Sequence, residues 1–372
     1  MSVADATFTQ TSAVAQPAVA VRSEEQLIYV KAVRSFAMIV IVTLHVAFPL
    51  IYLYNSIAFG DWWLANNFYI WGKIGSPLFT MVSGLLLLNP SKDQPIKVFF
   101  QKRFNKVLYP FLAWSALYIL WRIGFWKETL TLKEIAISVI QGPVYYHLWF
   151  IQMILGLYLA TPILRIYACH ASRENLTYFL IVWAITVSLL PMTKRFLGFE
   201  VGIDVQVTTG FVGFFILGFY LRDVTINSRQ AAIIVAAITA SLLFTQLATH
   251  ALTVKNNGLY DNFFVLNDSP NLLLVEVGLF LLFKSIDYEL LFQRLPLIQK
   301  IIMWISSCSL GIYFVHVMII ELLQSGKLGF VLDGNTIHPL IGIPITSALV
   351  MTLSICAVMV LKRIPVVKSI VP

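Results

Sequence analysis

Long apolar windows alternating with short polar turns constrain this chain more tightly than any other feature. Windows of about 17 to 25 mostly apolar residues are long enough to cross a bilayer as helix. They fall at about 31–54, 68–89, 105–124, 147–168, 175–192, 207–222, 229–248, 270–286, 301–323 and 340–361. The 372 residues are 59% hydrophobic and only 12% charged, with a mean hydropathy of +0.82; soluble domains average about 25% charged. The expected fold is all-α, a polytopic integral membrane bundle of about ten transmembrane helices.

Lys and Arg near the ends of spans stay preferentially in the cytoplasm. With the N-terminus inside, the inner turns collect Lys97, Lys102, Arg103, Lys106, Arg165, Arg173, Arg222, Arg229, Lys284, Arg294, Lys300, Lys362 and Arg363, whereas the outer loops hold few basic residues. Both termini are therefore expected to be cytoplasmic. The net charge of +8 follows from this topology, and no nucleic-acid partner is expected. Cys169, Cys308 and Cys356 are scattered, with no CxxC pair, and predict neither disulfide nor metal site. Residues 1–25 are small and polar without a basic start or an apolar core, and read as a disordered cytoplasmic tail. Residues 26–372 read as a single transmembrane domain. No internal repeat or matched pair of Gly/Pro-broken helices points to an inverted-repeat transporter.

The first span, "VRSFAMIVIVTLHVA", carries Arg34 and His45. Between them the helix turns about 1100°, so both leave one face, about 16 Å apart along the axis. Ionisable side chains in hydrocarbon are costly and mark sites or pathways. One reading has Arg34 snorkelling to headgroups and His45 bonding to a neighbouring helix. The other has a cavity in which the cation holds an anionic group and a neutral imidazole takes a proton.

Other polar positions join this pair. Lys102, Arg103 and Lys106 in "QKRFNKVLYP" are either flanking charge or a phosphate clamp beneath the cavity. "IGSPLFTMVSGLLLL" places Ser83 among small residues that allow close helix packing. "PVYYHLWF" opens the fourth span with Tyr145, Tyr146, His147 and Trp149, and "SLGIYFVH" puts Tyr313 and His316 on one face at about the depth of His45. No HxxxH or HExxH pattern occurs, and no metal site is expected. Glu276 and Glu321 lie inside spans without an assigned role. The outer "FGDWWLANNFYIW" suits either an interfacial belt or the apolar face of a sugar.

Taken in order, Arg34 and His45 with ten residues between them, "SPLFTMVSGLLLL", "KRFNKVLYP", "YHLWF" and "SLGIYFVH" resemble acyltransferase family 3 of integral membrane proteins. "VYYHLWF" and "SLGIYFVHVMII" are most similar to the branch that includes the enterobacterial common antigen O-acetyltransferase. The resemblance implies transfer of an acyl group, usually acetyl from acetyl-CoA, to a hydroxyl of a surface polysaccharide or lipid-linked sugar in a bacterial cytoplasmic (inner) membrane. It makes Arg34 and His45 the essential pair, and Arg34, Lys102, Arg103 and Lys106 the cations for the cofactor. By depth and motif, His147, Tyr313 and His316 are the candidates for orienting the acceptor or stabilising the developing oxyanion, with Trp149 and Ser83 beside them as substrate-binding candidates. Lys31 and Ser35 depart from the family pattern, which usually has an acidic or amide residue before the Arg and a Gly after it.

On this reading acetyl-CoA enters from the cytoplasm, its pantetheine arm runs up the first-span face, and His45 takes the proton of the attacking hydroxyl. Direct transfer and an acyl-enzyme both remain open, as does a homo-oligomer. A membrane carrier or flippase for a lipid-linked or anionic substrate is the rival, with Arg34 binding the substrate and His45 relaying protons. Consumption of acetyl-CoA separates the two.

Overall fold

The computed structural model describes residues 28–90, 94–202 and 210–371, so the expected tail lies outside the described residues. Within them every regular element is helical, as backbone in hydrocarbon must satisfy its own hydrogen bonds. α1 (Ile28–Ala47) runs on into a 3-10 turn at Phe48–Tyr52. α2 (Phe59–Lys73) and α3 (Gly75–Leu87) share the second pass. α4 (Ile96–Arg103) and α5 (Tyr109–Gly124) share the third. A short surface helix, α6 (Leu132–Gln141), precedes α7 (Trp149–His170). α8 (Arg173–Ala184) continues into the single turn of α9 (Leu190–Met192). α10 (Val212–Tyr220), α11 (Ser228–Lys255), α12 (Pro270–Ser285), the short α13 (Tyr288–Arg294), α14 (Pro296–Gln324) and α15 (Pro339–Arg363) complete the order.

Nine helical stretches among the described residues are long and apolar enough to cross a membrane. The window expected at 207–222 differs: α10 has 9 residues, and residues 203–209 before it lie outside the described set. α10 is buried from Gly213 to Phe219, as a helix that is apolar all round must be. Both ends of the described chain meet on one face: Lys362 Nζ donates to the Ser307 carbonyl at 3.3 Å, beside Arg34, and Trp114 Nε1 donates to the Ile370 carbonyl at 2.9 Å. The two described ends therefore lie at the same end of the bundle, and α10 is a short buried helix between α9 and α11.

Glycine sets the spacing at the centre of the bundle. A Cβ on Gly84 would stand 1.7 Å from the Phe215 carbonyl oxygen, and one on Gly218 would stand 1.9 Å from that of Met81. The backbones of α3 and α10 therefore touch, the packing mode that small residues permit in membranes. Beside α1, a Cβ on Gly72 would meet Leu44 Cβ at 2.1 Å and one on Gly75 would meet Ile41 Cγ1 at 2.5 Å.

Prolines break two passes where the site lies. Pro77 lacks the N–H that would bond the Lys73 carbonyl four residues back, and Asn267 Nδ2 donates to that oxygen instead, at 2.7 Å. Ahead of Pro110 the third pass widens into a π-helical turn at Phe104–Leu108, with the Tyr109 N–H bonded to the Phe104 carbonyl. The aromatic outer segment divides, with Trp62 and Tyr69 buried and Phe59 exposed. Trp62 is fully buried and donates to the Ile51 carbonyl at 2.9 Å, and buried Asn66 bonds Gln246 at 3.0 Å and Tyr260 at 2.7 Å.

Candidate functional site

α1 and α14 lie side by side and meet through two polar pairs. Toward the inner face an Arg34 Nη donates to Ser309 Oγ at 2.7 Å, and Ser309 Oγ donates in turn to the Ser306 carbonyl at 3.1 Å. Farther out, His45 Nδ1 and His316 Nε2 are 3.0 Å apart. Two turns of α14, about 10 Å, separate Ser309 from His316, against about 16 Å between Arg34 and His45. The long guanidinium stem makes up the difference.

Hydrogen-bond chemistry fixes the protons of the two imidazoles. His316 Nδ1 faces the carbonyls of Ile312 at 3.1 Å and Tyr313 at 2.8 Å. Carbonyl oxygens only accept, so this nitrogen carries the hydrogen and Nε2 of the neutral ring is an acceptor. His45 Nδ1 must then donate to it, which leaves His45 Nε2 with a free lone pair. A base whose tautomer is fixed by its partner is the arrangement general-base catalysis uses.

A 3-10 turn, Tyr146–Leu148, folds the entrance of α7 over this dyad. His147 is only 1% exposed. Its ring lies 5.4 Å from His316, 6.3 Å from His45 and 4.9 Å from Tyr118, and its nitrogens have no hydrogen-bond partner among the described residues. Tyr146 sits 5.4 Å from His45. Two bonds hold the turn: the Tyr313 hydroxyl donates to the His147 carbonyl, and the Tyr145 hydroxyl donates to Glu321. The Glu321 carboxylate also accepts from Trp121 Nε1 at 2.7 Å and Trp126 Nε1 at 2.9 Å, so Glu321 fastens α5 and the turn to α14.

Two cavities flank the dyad. The inner one, about 940 Å³, is lined by Arg34, Lys102, Arg103, Lys106 and Arg165 and, among the described residues, by no carboxylate. Lys102 bonds Gln94 at 2.9 Å, while the Arg103 and Arg165 guanidinia each lie 5.4 Å from the Phe99 ring. Such a cluster suits a multiply charged anion. The outer cavity, about 220 Å³, is lined by His45, Tyr146, His147 and Trp149 and by Tyr69 and Lys73. Phe150 and Tyr313 line both cavities.

The structure thus brings Arg34, Lys102, Arg103 and Lys106 to the inner cavity and His45, His147, Trp149 and Tyr313 to the outer one, with His316 behind His45. Ser83, expected on the acceptor side, lines the inner cavity instead, its hydroxyl donating to the Phe79 carbonyl at 2.9 Å. Sequence reasoning overlooked Lys73, Arg165, Ser309 and the tie made by Glu321. Lys73 had a signal, a lysine within an apolar window between two glycines in "WGKIGSP". Arg165 was read only as inner-face charge. Among the described residues no group of three or more His, Cys, Asp or Glu is placed to hold a metal ion.

The family model Acyl_transf_3, described as Acyltransferase domain, matches residues 27–361, most of the chain. Neither the curated proteins nor the solved structures give a match.

Proposed function

This chain belongs to the Acyl_transf_3 family and is a multi-pass membrane acyltransferase, and we propose that it moves acetyl from cytoplasmic acetyl-CoA to a hydroxyl of a surface polysaccharide or lipid-linked sugar at a bacterial inner membrane. One observation carries this reading: a cavity lined by five basic side chains and a second cavity holding an imidazole base share a wall at Phe150 and Tyr313. Donor and acceptor can approach from opposite faces and meet there. The likeness of residues 144–150 and 309–320 to the enterobacterial common antigen O-acetyltransferase branch favours a glycan acceptor.

The residues fit the donor. Lys102, Arg103, Lys106, Arg34 and Arg165 supply charge-assisted donors for the phosphates of CoA. The pantetheine arm follows Ser83, Phe79, Ile154 and Leu310, along the roughly 16 Å between the levels of Arg34 and His45. At about 30 Å³ per water molecule, the 220 Å³ outer cavity has room for one sugar ring among Tyr69, Tyr146 and Trp149.

The acceptor oxygen attacks the thioester carbon as its proton passes to His45 Nε2, and the carbonyl π pair moves to oxygen. Collapse breaks the C–S bond, and the thiolate takes the proton back from His45. Free CoA and the ester result, with His316 holding His45 in one tautomer throughout. The test is CoA release from acetyl-CoA by the purified protein in lipid, with glycan and lipid extracts as acceptors, beside His45→Ala. Acceptor-dependent release that the variant loses supports the reading. Absence of release together with uptake of an anionic or lipid-linked solute into vesicles would move the function to a carrier.

A further inference from the structure

Lys73 is a cation in the middle of a span, a placement that costs several kcal/mol unless something uses it. Its position is built. It ends α2 just ahead of the break that Pro77 creates, Asn267 holds its carbonyl at 2.7 Å, and the flanking Gly72 and Gly75 let α1 approach until only hydrogen fits between. The consequence is that Lys73 and His45 line one small cavity.

The ammonium is uncommitted there. It makes no hydrogen bond or ion pair among the described residues; the Tyr69 ring lies 5.9 Å away. The Asp268 and Glu276 carboxylates act on it electrostatically, as it acts on His45. Of the other polar groups of the same cavity, the Tyr313 hydroxyl bonds the His147 carbonyl and the Asn267 amide bonds Lys73 itself, while the His147 ring, also without a hydrogen-bond partner among the described residues, is packed against His316 and Tyr118. Lys73 also lies toward the floor. Gly72 and Gly75 abut Val40, Ile41 and Leu44, one to five residues inward of His45 on α1, and Ser76 lines the cavity together with Phe150, where a thioester from the inner side would emerge.

We infer that Lys73 donates a hydrogen bond to the thioester carbonyl oxygen and stabilises the oxyanion formed on it, an assignment that rests on the acyl-transfer reading above. The ammonium keeps its proton throughout. The attacking hydroxyl forms the C–O bond and loses its proton to His45. The π pair sits on the oxygen facing Lys73 until it returns and expels the thiolate. A donor held free in the resting protein and aimed where charge develops needs no rearrangement in the transition state; losing one such donor costs about 10²–10³ in turnover.

Two measurements test this. The first needs no turnover: the infrared carbonyl stretch of ¹³C-acetyl-CoA bound to His45→Ala protein, with and without Lys73→Met. A shift to lower frequency on binding, lost with Lys73→Met, is expected; a shift that survives the substitution would overturn the assignment. The second is kinetic. Lys73→Met should lower turnover about 10²–10³-fold with glycan acceptors and with water alike at unchanged acetyl-CoA affinity, and Lys73→Arg should restore part of it. A loss confined to acidic acceptors would make Lys73 a reader of acceptor charge and refute the oxyanion role. A collapse of acetyl-CoA affinity would make it structural. Failure of wild type and His45→Ala alike to bind acetyl-CoA would refute the donor reading itself, an outcome distinct from loss of the shift alone.

Discussion

Replacing His316 by Leu removes the acceptor of the 3.0 Å bond to His45 Nδ1 while keeping an apolar body of similar bulk beside α1. The His45 N–H then keeps only the Ile41 carbonyl of its own helix, a loss worth about 0.5–1.5 kcal/mol, and without His316 the ring can place its hydrogen on Nε2, where it cannot act as base. A general base contributes about 10²–10⁴ to rate, or about 2.7–5.4 kcal/mol at about 1.36 kcal/mol per decade. An orienting partner governs a fraction of that, about 10- to 100-fold, so His316→Leu should cost about 1.4–2.7 kcal/mol of transition-state stabilisation. The assay is CoA release in lipid nanodiscs at matched protein, with thermal unfolding measured alongside. The decisive comparison is the double variant. Because His316 acts only through His45, His45→Ala/His316→Leu should match His45→Ala within a few-fold, since residues acting as a unit are non-additive. Losses that multiply would show His316 acting on substrate directly and would refute the tautomer argument.

Further expectations follow from other parts of the molecule. Gly84→Ala puts a methyl 1.7 Å from a backbone oxygen; it should lower the unfolding temperature in detergent by the equivalent of about 1–3 kcal/mol or more, whereas Gly60→Ala, which meets nothing within 4 Å, should leave it unchanged. Neutralising Lys102, Arg103 and Lys106 to Gln should raise KM for acetyl-CoA and flatten its dependence on salt, with kcat largely kept; an unchanged KM would remove them from the donor site. Tyr260, in the loop after α11, donates to Asn66 at 2.7 Å, and burial, then neighbouring Tyr69 and Tyr52, hold its hydroxyl pKa well above the ordinary value. Its contribution is present below about pH 10 and lost as pH rises toward the folded value. Tyr260→Phe should therefore lose stability less steeply under alkaline conditions than wild type.

Much of this was legible in the sequence because helix geometry is local. Arg34 and His45 share a face by the 3.6-residue repeat alone, and His316 was assigned the depth of His45 from its place in the ninth window. What stayed hidden depends on pairings across the chain. Nothing near Arg34 announces Ser309 as its partner, 275 positions away, nor that Glu321 ties Trp121, Trp126 and Tyr145 together. Trp62 suited an interfacial belt or a sugar equally because composition does not distinguish an aromatic facing headgroups from one facing α11. The window at 207–222 was hard to delimit because α10, apolar and largely buried, carries no amphipathic signature. Lys73 escaped because a single charge barely lowers the mean hydropathy of its window.

The two aromatic rings that part the cavities, Phe150 and Tyr313, have centroids 5.8 Å apart. If water fills both cavities, most of the transmembrane voltage falls across this partition rather than across about 30 Å of hydrocarbon, so the local field there exceeds that of bare bilayer. A unit charge crossing the full voltage exchanges about 2.3 kcal/mol per 100 mV. Charge displaced at the partition during a reaction is therefore coupled to the energised state of the cell, and turnover in polarised vesicles should vary with voltage in a way that turnover in detergent cannot.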